Sequence, residues 1–142
     1  MIKEDTIKQL INEALHARNH AYAPYSQFMV GAALFTEDDS VYTGCNVENA
    51  SYGATNCAER TAIFKAVSEG KRLIKAIAIV GGVKDGDMTY AYPCGVCRQV
   101  LREFSNPGDL VIIVAKNQDD YKTYSLEELL PESFGPDFKS AK

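Results

Sequence analysis

Thr55-Asn56-Cys57-Ala58-Glu59-Arg60-Thr61, continued by Ala62-Ile63-Phe64-Lys65-Ala66-Val67, sets a thiol two residues before a carboxylate where an amphipathic helix begins. Residues two apart on a regular helix do not face each other. Cys57 and Glu59 can therefore share one pocket only at the helix mouth, where the backbone is not yet regular. There the unpaired N–H groups and the positive end of the dipole favour a thiolate and a carboxylate. A second stretch, Pro93-Cys94-Gly95-Val96-Cys97, has the same character and is also followed by a helical pattern. Two helix mouths carrying three thiols and one carboxylate suggest a metal site with a base beside it.

Working outward, the first of these helices runs from about Cys57 to Glu69 and stops at Gly70, a C-cap glycine. Before it, Asp5 to about His20 places Ile7, Leu10, Ile11, Ala14 and Leu15 on one stripe, a further amphipathic helix. Phe28 to Phe35 reads as a buried strand and Val41 to Val47 as its hairpin partner. The polar loop 48–56 leads into the helix mouth, a place where loops often carry function. After the helix, Lys75 to Val83 reads as a central strand, Gly95 to Phe104 as a helix, and Leu110 to Ala115 as a strand. Tyr121 to Tyr124 is a short exposed strand. Ser125 caps a short helix over Leu126 to Leu130, and the end from Gly135 is expected to be loose. The order α-β-β-α-β-α-β-β-α predicts a three-layer α/β sandwich around a mixed five-stranded sheet.

The 142 residues, 46% of them hydrophobic, are enough for one domain, 1–142, with a core that needs no staples. The net charge of −4 and the lack of a basic run argue against a nucleic-acid partner. No apolar run reaches membrane-spanning length, and the first residues lack a signal-peptide pattern. A cytoplasmic location follows as the expectation. In that reducing compartment the four cysteines serve as ligands or buried thiols rather than disulfides.

Three thiolates with one open position describe a catalytic zinc site better than a closed structural one. Cys94 and Cys97, three apart, fall on one face of a helical turn. Pro93 suits a helix entry, and Gly95 is read as permitting close approach. Cys57 would reach the same ion from the other mouth. Glu59 lies where a proton shuttle is wanted, near the ion without ligating it. Three thiolates overload a divalent cation with negative charge, so Arg60 is assigned to hydrogen-bond them. Cys45 lies in an apparent strand and is read as a buried thiol. As a fourth ligand it would instead make a non-enzymatic Cys₄ zinc module, and a redox pair at Cys94 and Cys97 would explain neither Cys57 nor Glu59.

A ligand-x-Glu element followed by Pro-Cys-x-x-Cys is the pattern of zinc deaminases, and Cys57-Ala58-Glu59 with Pro93-Cys94-Gly95-Val96-Cys97 matches its all-cysteine form. The chain resembles the small, homotetrameric cytidine deaminases well beyond these motifs. Ala23-Pro24-Tyr25-Ser26-Gln27-Phe28-Met29-Val30-Gly31-Ala32-Ala33-Leu34, Gly44-Cys45-Asn46-Val47-Glu48-Asn49-Ala50-Ser51-Tyr52, Cys97-Arg98-Gln99-Val100 and Glu127-Glu128-Leu129-Leu130-Pro131 all carry the likeness. The resemblance implies a cytidine deaminase-like fold and one Zn²⁺ per chain on Cys57, Cys94 and Cys97. It also implies hydrolytic deamination of cytidine and 2′-deoxycytidine through zinc-activated water, with Glu59 moving the protons in pyrimidine salvage. Asn46 and Glu48 would bind the ribose hydroxyls, Phe28 would lie against the pyrimidine, and the Ala58 backbone would read the base edge. A homotetramer with pockets shared between subunits would place Ala50, Tyr52 and Phe134 across boundaries. The main alternative is a deaminase of another aminopyrimidine nucleoside, of the blasticidin type, which shares the metal motifs. One departure stands out: this chain has Tyr92 where relatives usually carry Ser or Thr before the proline.

Overall fold

The stripe of Leu10, Ile11 and Ala14 is fully buried along one side of α1 (Glu4–Arg18), with Glu4 and Asp5 in its first turn, where acidic groups suit the dipole. The computed structural model describes residues 2–136. The two strands that follow, β1 (Phe28–Thr36) and β2 (Val41–Cys45), form an antiparallel hairpin with Gly31 opposite Cys45. After a 3₁₀ turn at Tyr52–Ala54 come α2 (Ala58–Ser68), β3 (Ile74–Val83), a two-residue β4 (Met88–Thr89) and α3 (Gly95–Glu103). The chain closes with β5 (Val111–Asn117), β6 (Asp120–Ser125) and α4 (Leu126–Leu129).

The strands lie in the order β2-β1-β3-β5-β6, with β4 paired to the end of β3. The β3–β5 pair is parallel and the rest are antiparallel, so the sheet is mixed as expected. Strand alternation sorts the side chains into two cores. Ala33, Ala76, Ala78, Val80, Ile113 and Ala115 face α1. Ala32, Leu34, Ile77, Ile79, Ile112 and Val114 face the other way, onto Ala62, Ile63 and Leu101 of α2 and α3. Burial on both faces is why β3 reads as a continuous apolar run rather than an alternating one. The result is three layers: α1, the sheet, then α2 with α3.

Two glycines set how closely the layers approach. A Cβ on Gly31 would sit 2.0 Å from the Ala14 carbonyl oxygen, and one on Gly44 would sit 2.6 Å from both the Ala58 oxygen and the Ala62 nitrogen. The helices thus rest directly on the β1–β2 hairpin. At Gly70, φ is +95°, the left-handed conformation expected of a glycine just beyond a helix end. α4 carries a complete capping box between Ser125 and Glu128.

Three expectations are corrected. β2 ends at Cys45, two residues before Val47, because the Asn46 side chain takes over the pairing. Its Oδ1 accepts from the Val30 N–H at 2.9 Å, and its Nδ2 donates to the Phe28 carbonyl at 2.8 Å. Val47 instead exchanges backbone bonds with Asn56, both at 2.9 Å, closing the base of the loop between them. β4 is additional; a two-residue strand has no periodicity to read. Finally, Gly135 and Pro136 are held on α3, where Arg102 Nη1 donates to the Pro136 carbonyl at 2.8 Å. The rest of the tail expected to be loose, and the end of the expected 1–142 domain, lie outside the described residues.

Candidate metal centre and substrate pocket

Phe28 opens β1, Asn46 follows β2, and Val83 ends β3 opposite Phe28, so all three lie at one edge of the sheet. α2 and α3 both begin at this edge. Cys57 is the N-cap of α2, with extended backbone (φ −74°, ψ 156°) and no side-chain capping bond. The N-cap side chain therefore does not pair the first-turn N–H groups of α2. Cys94 is the N-cap of α3, and its sulfur accepts from the Cys97 N–H at 3.4 Å.

The two mouths bring the Sγ atoms of Cys57, Cys94 and Cys97 within 4.8 Å of one another, the one such ligand group among the described residues. Around a tetrahedral zinc with Zn–S of about 2.3 Å, sulfurs stand about 3.8 Å apart. Cys57 and Cys94 are 3.8 Å apart. The soft donor set and its spacing fit zinc. Cys45 is not in the group; burial raises its thiol above the ordinary range. The Cys₄ module therefore loses its fourth ligand. Among the described residues, His16 and His20, four apart in sequence and able in principle to chelate, join no ligand group either.

Arg60, one turn into α2, donates from Nη2 to Cys57 Sγ at 3.2 Å. Without metal, Cys57 sits low, at about 5, chiefly through its bond with the Cys97 thiol and then through Arg60. Cys97 is pushed up by the same contact, so the pair holds one proton between them. Glu59 is only 4% exposed. Burial, joined by the negative charge on Cys57, raises its carboxyl to about 7. A soft-metal cradle thus stands beside a carboxyl able to gain or lose a proton near neutrality, the arrangement expected of a metal-assisted hydrolase.

Comparison with known proteins agrees. The profile of the cytidine and deoxycytidylate deaminase zinc-binding region matches residues 4–114. A cytidine deaminase of Halalkalibacterium halodurans is 51% identical over 127 residues, covering 89% of this chain and 92% of that one. This chain belongs to the cytidine deaminase family. A cytidine deaminase of Sporosarcina psychrophila is 48% identical over 90% of each chain. The crystal structure of cytidine deaminase from Burkholderia pseudomallei superposes with a TM-score of 0.79 at 49% identity, over 89% of this chain and 97% of that one.

Other residues singled out from the family resemblance fall into two groups. Phe28, Asn46, Glu48 and Ala58 lie at the edge where the helices begin. Asn46 is 8% exposed, and its amide is already bonded to β1. One N–H and one lone pair of that amide remain for a ligand. Glu48 is half-buried and clamped: Oε1 accepts from the N–H groups of Tyr25 and Ser26 at 2.9 and 3.1 Å, and Oε2 from the Ser26 hydroxyl. The Ser26 hydroxyl leads these in holding the carboxyl below its ordinary range. By contrast, Tyr52 and Phe134 are 75% and 81% exposed, and Ala50 lies on the same exposed loop as Tyr52.

Several contributors carried no sequence signal of their own. Ser26 stands out only as part of a longer matching run, yet its N–H and hydroxyl both bond the Glu48 carboxylate. Arg98 donates to the Pro93 carbonyl at 2.7 Å and to the Leu129 carbonyl at 2.6 Å, bracing the second helix mouth. At Gly95 a Cβ would meet nothing within 4 Å, so no part of this chain itself makes a close approach there.

Proposed function

We propose that this chain hydrolyses cytidine and 2′-deoxycytidine to the corresponding uridines with release of ammonia, as a single zinc-dependent domain. The observation that carries this reading is the three-sulfur cradle with the raised carboxyl of Glu59 beside it. Cys57, Cys94 and Cys97 would hold the ion, which supplies acidification of a water and stabilisation of developing negative charge. Glu59 takes a proton from the attacking water and delivers it to N3 of the base. After addition at C4 it carries the remaining hydroxyl proton to the amino group, and ammonia leaves. Arg60 draws charge from the Cys57 thiolate, keeping the cradle from becoming too electron-rich to acidify water.

At the other end of the substrate, Asn46 and Glu48 bind the ribose hydroxyls, with Phe28 against the pyrimidine and the Ala58 backbone reading the base edge. The clamp from Tyr25 and Ser26 supports this by fixing the Glu48 carboxylate as an acceptor before substrate arrives. Assembly is as a homotetramer in which Ala50, Tyr52 and Phe134 complete a neighbour's pocket. The exposure of Tyr52 and Phe134 supports that reading, since large apolar groups in water favour burial in an interface. Unpaired thiols at the site suit a reducing cytoplasm. No helix among the described residues is long and apolar enough to cross a membrane.

The test is Glu59→Gln in zinc-loaded protein, assayed on cytidine, deoxycytidine and blasticidin S with zinc measured on the same sample. Zinc should stay at about one per chain while turnover falls by roughly 10³-fold or more, the loss expected of a residue performing two proton transfers. Near-normal turnover in that variant would remove Glu59 from its role. Turnover of blasticidin S alone by the parent chain would keep the chemistry and change the substrate.

A further inference from the structure

The segment that leads from β4 into the second helix mouth, Tyr90-Ala91-Tyr92-Pro93, alternates its side chains as an extended chain does. Ala91 faces inward: a Cβ on Gly81 would meet its Cβ at 2.8 Å, with Phe28 at 3.1 Å. The flanking tyrosines face the other way, toward the β5–β6 hairpin. Tyr90 donates its hydroxyl to the Asp120 carboxylate. Tyr92 meets Tyr124 edge-to-face, with ring centroids 5.7 Å apart and hydroxyls hydrogen-bonded at 2.8 Å. Tyr124 is itself packed on the core beneath α3. A span that carries Cys94 two residues later is thus hooked to a strand more than thirty positions away in sequence.

We propose that Tyr124, acting through Tyr92, is a positioning residue that holds the Pro93–Cys94 entry to α3 and so fixes where the Cys94 sulfur stands in the metal cradle. Other ties on this entry leave the residue next to Pro93 to the tyrosine pair, since the Tyr90–Asp120 bond acts two residues further upstream. Arg98 fixes the Pro93 carbonyl from the helix side, and the Cys97 N–H reaches the Cys94 sulfur. Neither restrains the chain upstream of Pro93. Cys94 is the most exposed of the three ligands, so the surrounding protein does least to hold it. Removing the hydroxyl bond lets the entry swing and widens the spread of positions open to that sulfur. The ribose end, set by Asn46 and Glu48 on other elements, does not move.

Tyr124→Phe keeps the ring and removes only the hydroxyl link. Partners that directly orient metal ligands typically change affinity or activity by about 10–100-fold, so one step further out the expected change is about three- to tenfold. In zinc-loaded protein, Tyr124→Phe should release zinc to a colorimetric chelator about three- to tenfold faster and lower kcat on cytidine by a similar factor, with KM within about twofold. Tyr92→Phe should do the same, and the double variant should be no worse than either single one, because both break one link. The proposal is overturned if Tyr124→Phe leaves zinc release and kcat within twofold of the parent, whatever its Tm. It is equally overturned if the two single effects add, or if KM rises while kcat holds.

Discussion

Gly44→Ala is the sharpest probe of how the fold positions the chemistry. The glycine lies in β2, directly under the first turn of α2. Its missing side chain would stand 2.6 Å from the Ala58 oxygen and from the Ala62 nitrogen, and 2.9 Å from Thr61 Cβ. Two of these are backbone atoms, so no side-chain rotation relieves the clash. Ordinary contact begins at 3.4 Å, so the mouth of α2 must retreat by about 0.8 Å, taking Cys57 and Glu59 with it. A misplacement of about 1 Å can cost roughly 10²-fold in rate, so kcat/KM should fall by about 30–100-fold. Overpacking of this kind costs about 1–3 kcal/mol, which at roughly 4 °C per kcal/mol lowers Tm by about 4–12 °C. The assay is the absorbance change as cytidine becomes uridine, with thermal unfolding and zinc content measured on the same preparation. Gly108→Ala is the control: the nearest atom to its Cβ is 4.0 Å away, and activity and Tm should hold. A Gly44→Ala protein within threefold of the parent in kcat/KM would refute the idea that this contact seats the site.

Three further outcomes follow from the site. In zinc-free protein, Glu59 has its carboxyl raised to about 7 by burial, against an ordinary 4.5. The folded chain then keeps a proton that the unfolded chain gives up between those values, so this group lowers stability as pH rises through that window. Zinc-free Glu59→Gln should therefore match the parent below about pH 4.5 and exceed it by about 3 kcal/mol at pH 8, as denaturant unfolding would read; a constant difference across pH would contradict the assignment. Arg60→Gln removes the donor to Cys57 and should weaken zinc binding by about 10–100-fold in competition with a chelator, and unchanged affinity would show the contact to be idle. Cys45→Ser should retain about one zinc per chain, since Cys45 stands outside the ligand group; metal loss would revive a four-thiol site.

Much of this was legible in the chain because its signals are local. The zinc ligands and Glu59 sit in two short motifs at helix starts, and helix starts announce themselves through the change from polar loop to amphipathic period. The five main strands and four helices follow from periods of 2 and 3.6, which the backbone enforces whatever packs against it. Even the requirement that Cys57 lie off the regular helix, if it was to share a pocket with Glu59, came from spacing alone, and it is the N-cap.

What could not be read this way are the contacts between segments far apart in sequence. Asn46 ends β2 by bonding to β1, Ser26 clamps Glu48 across a loop, and Tyr124 reaches Tyr92 from another hairpin. Gly44 and Gly31 look like any strand glycines until a helix lies on them, while Gly95, which reads as a point of close approach, turns out to be open. Side-chain periodicity says which face of an element is buried. Which neighbour covers it, and at what distance, is settled by close packing of the assembled layers, where a single methyl group decides whether two backbones can touch.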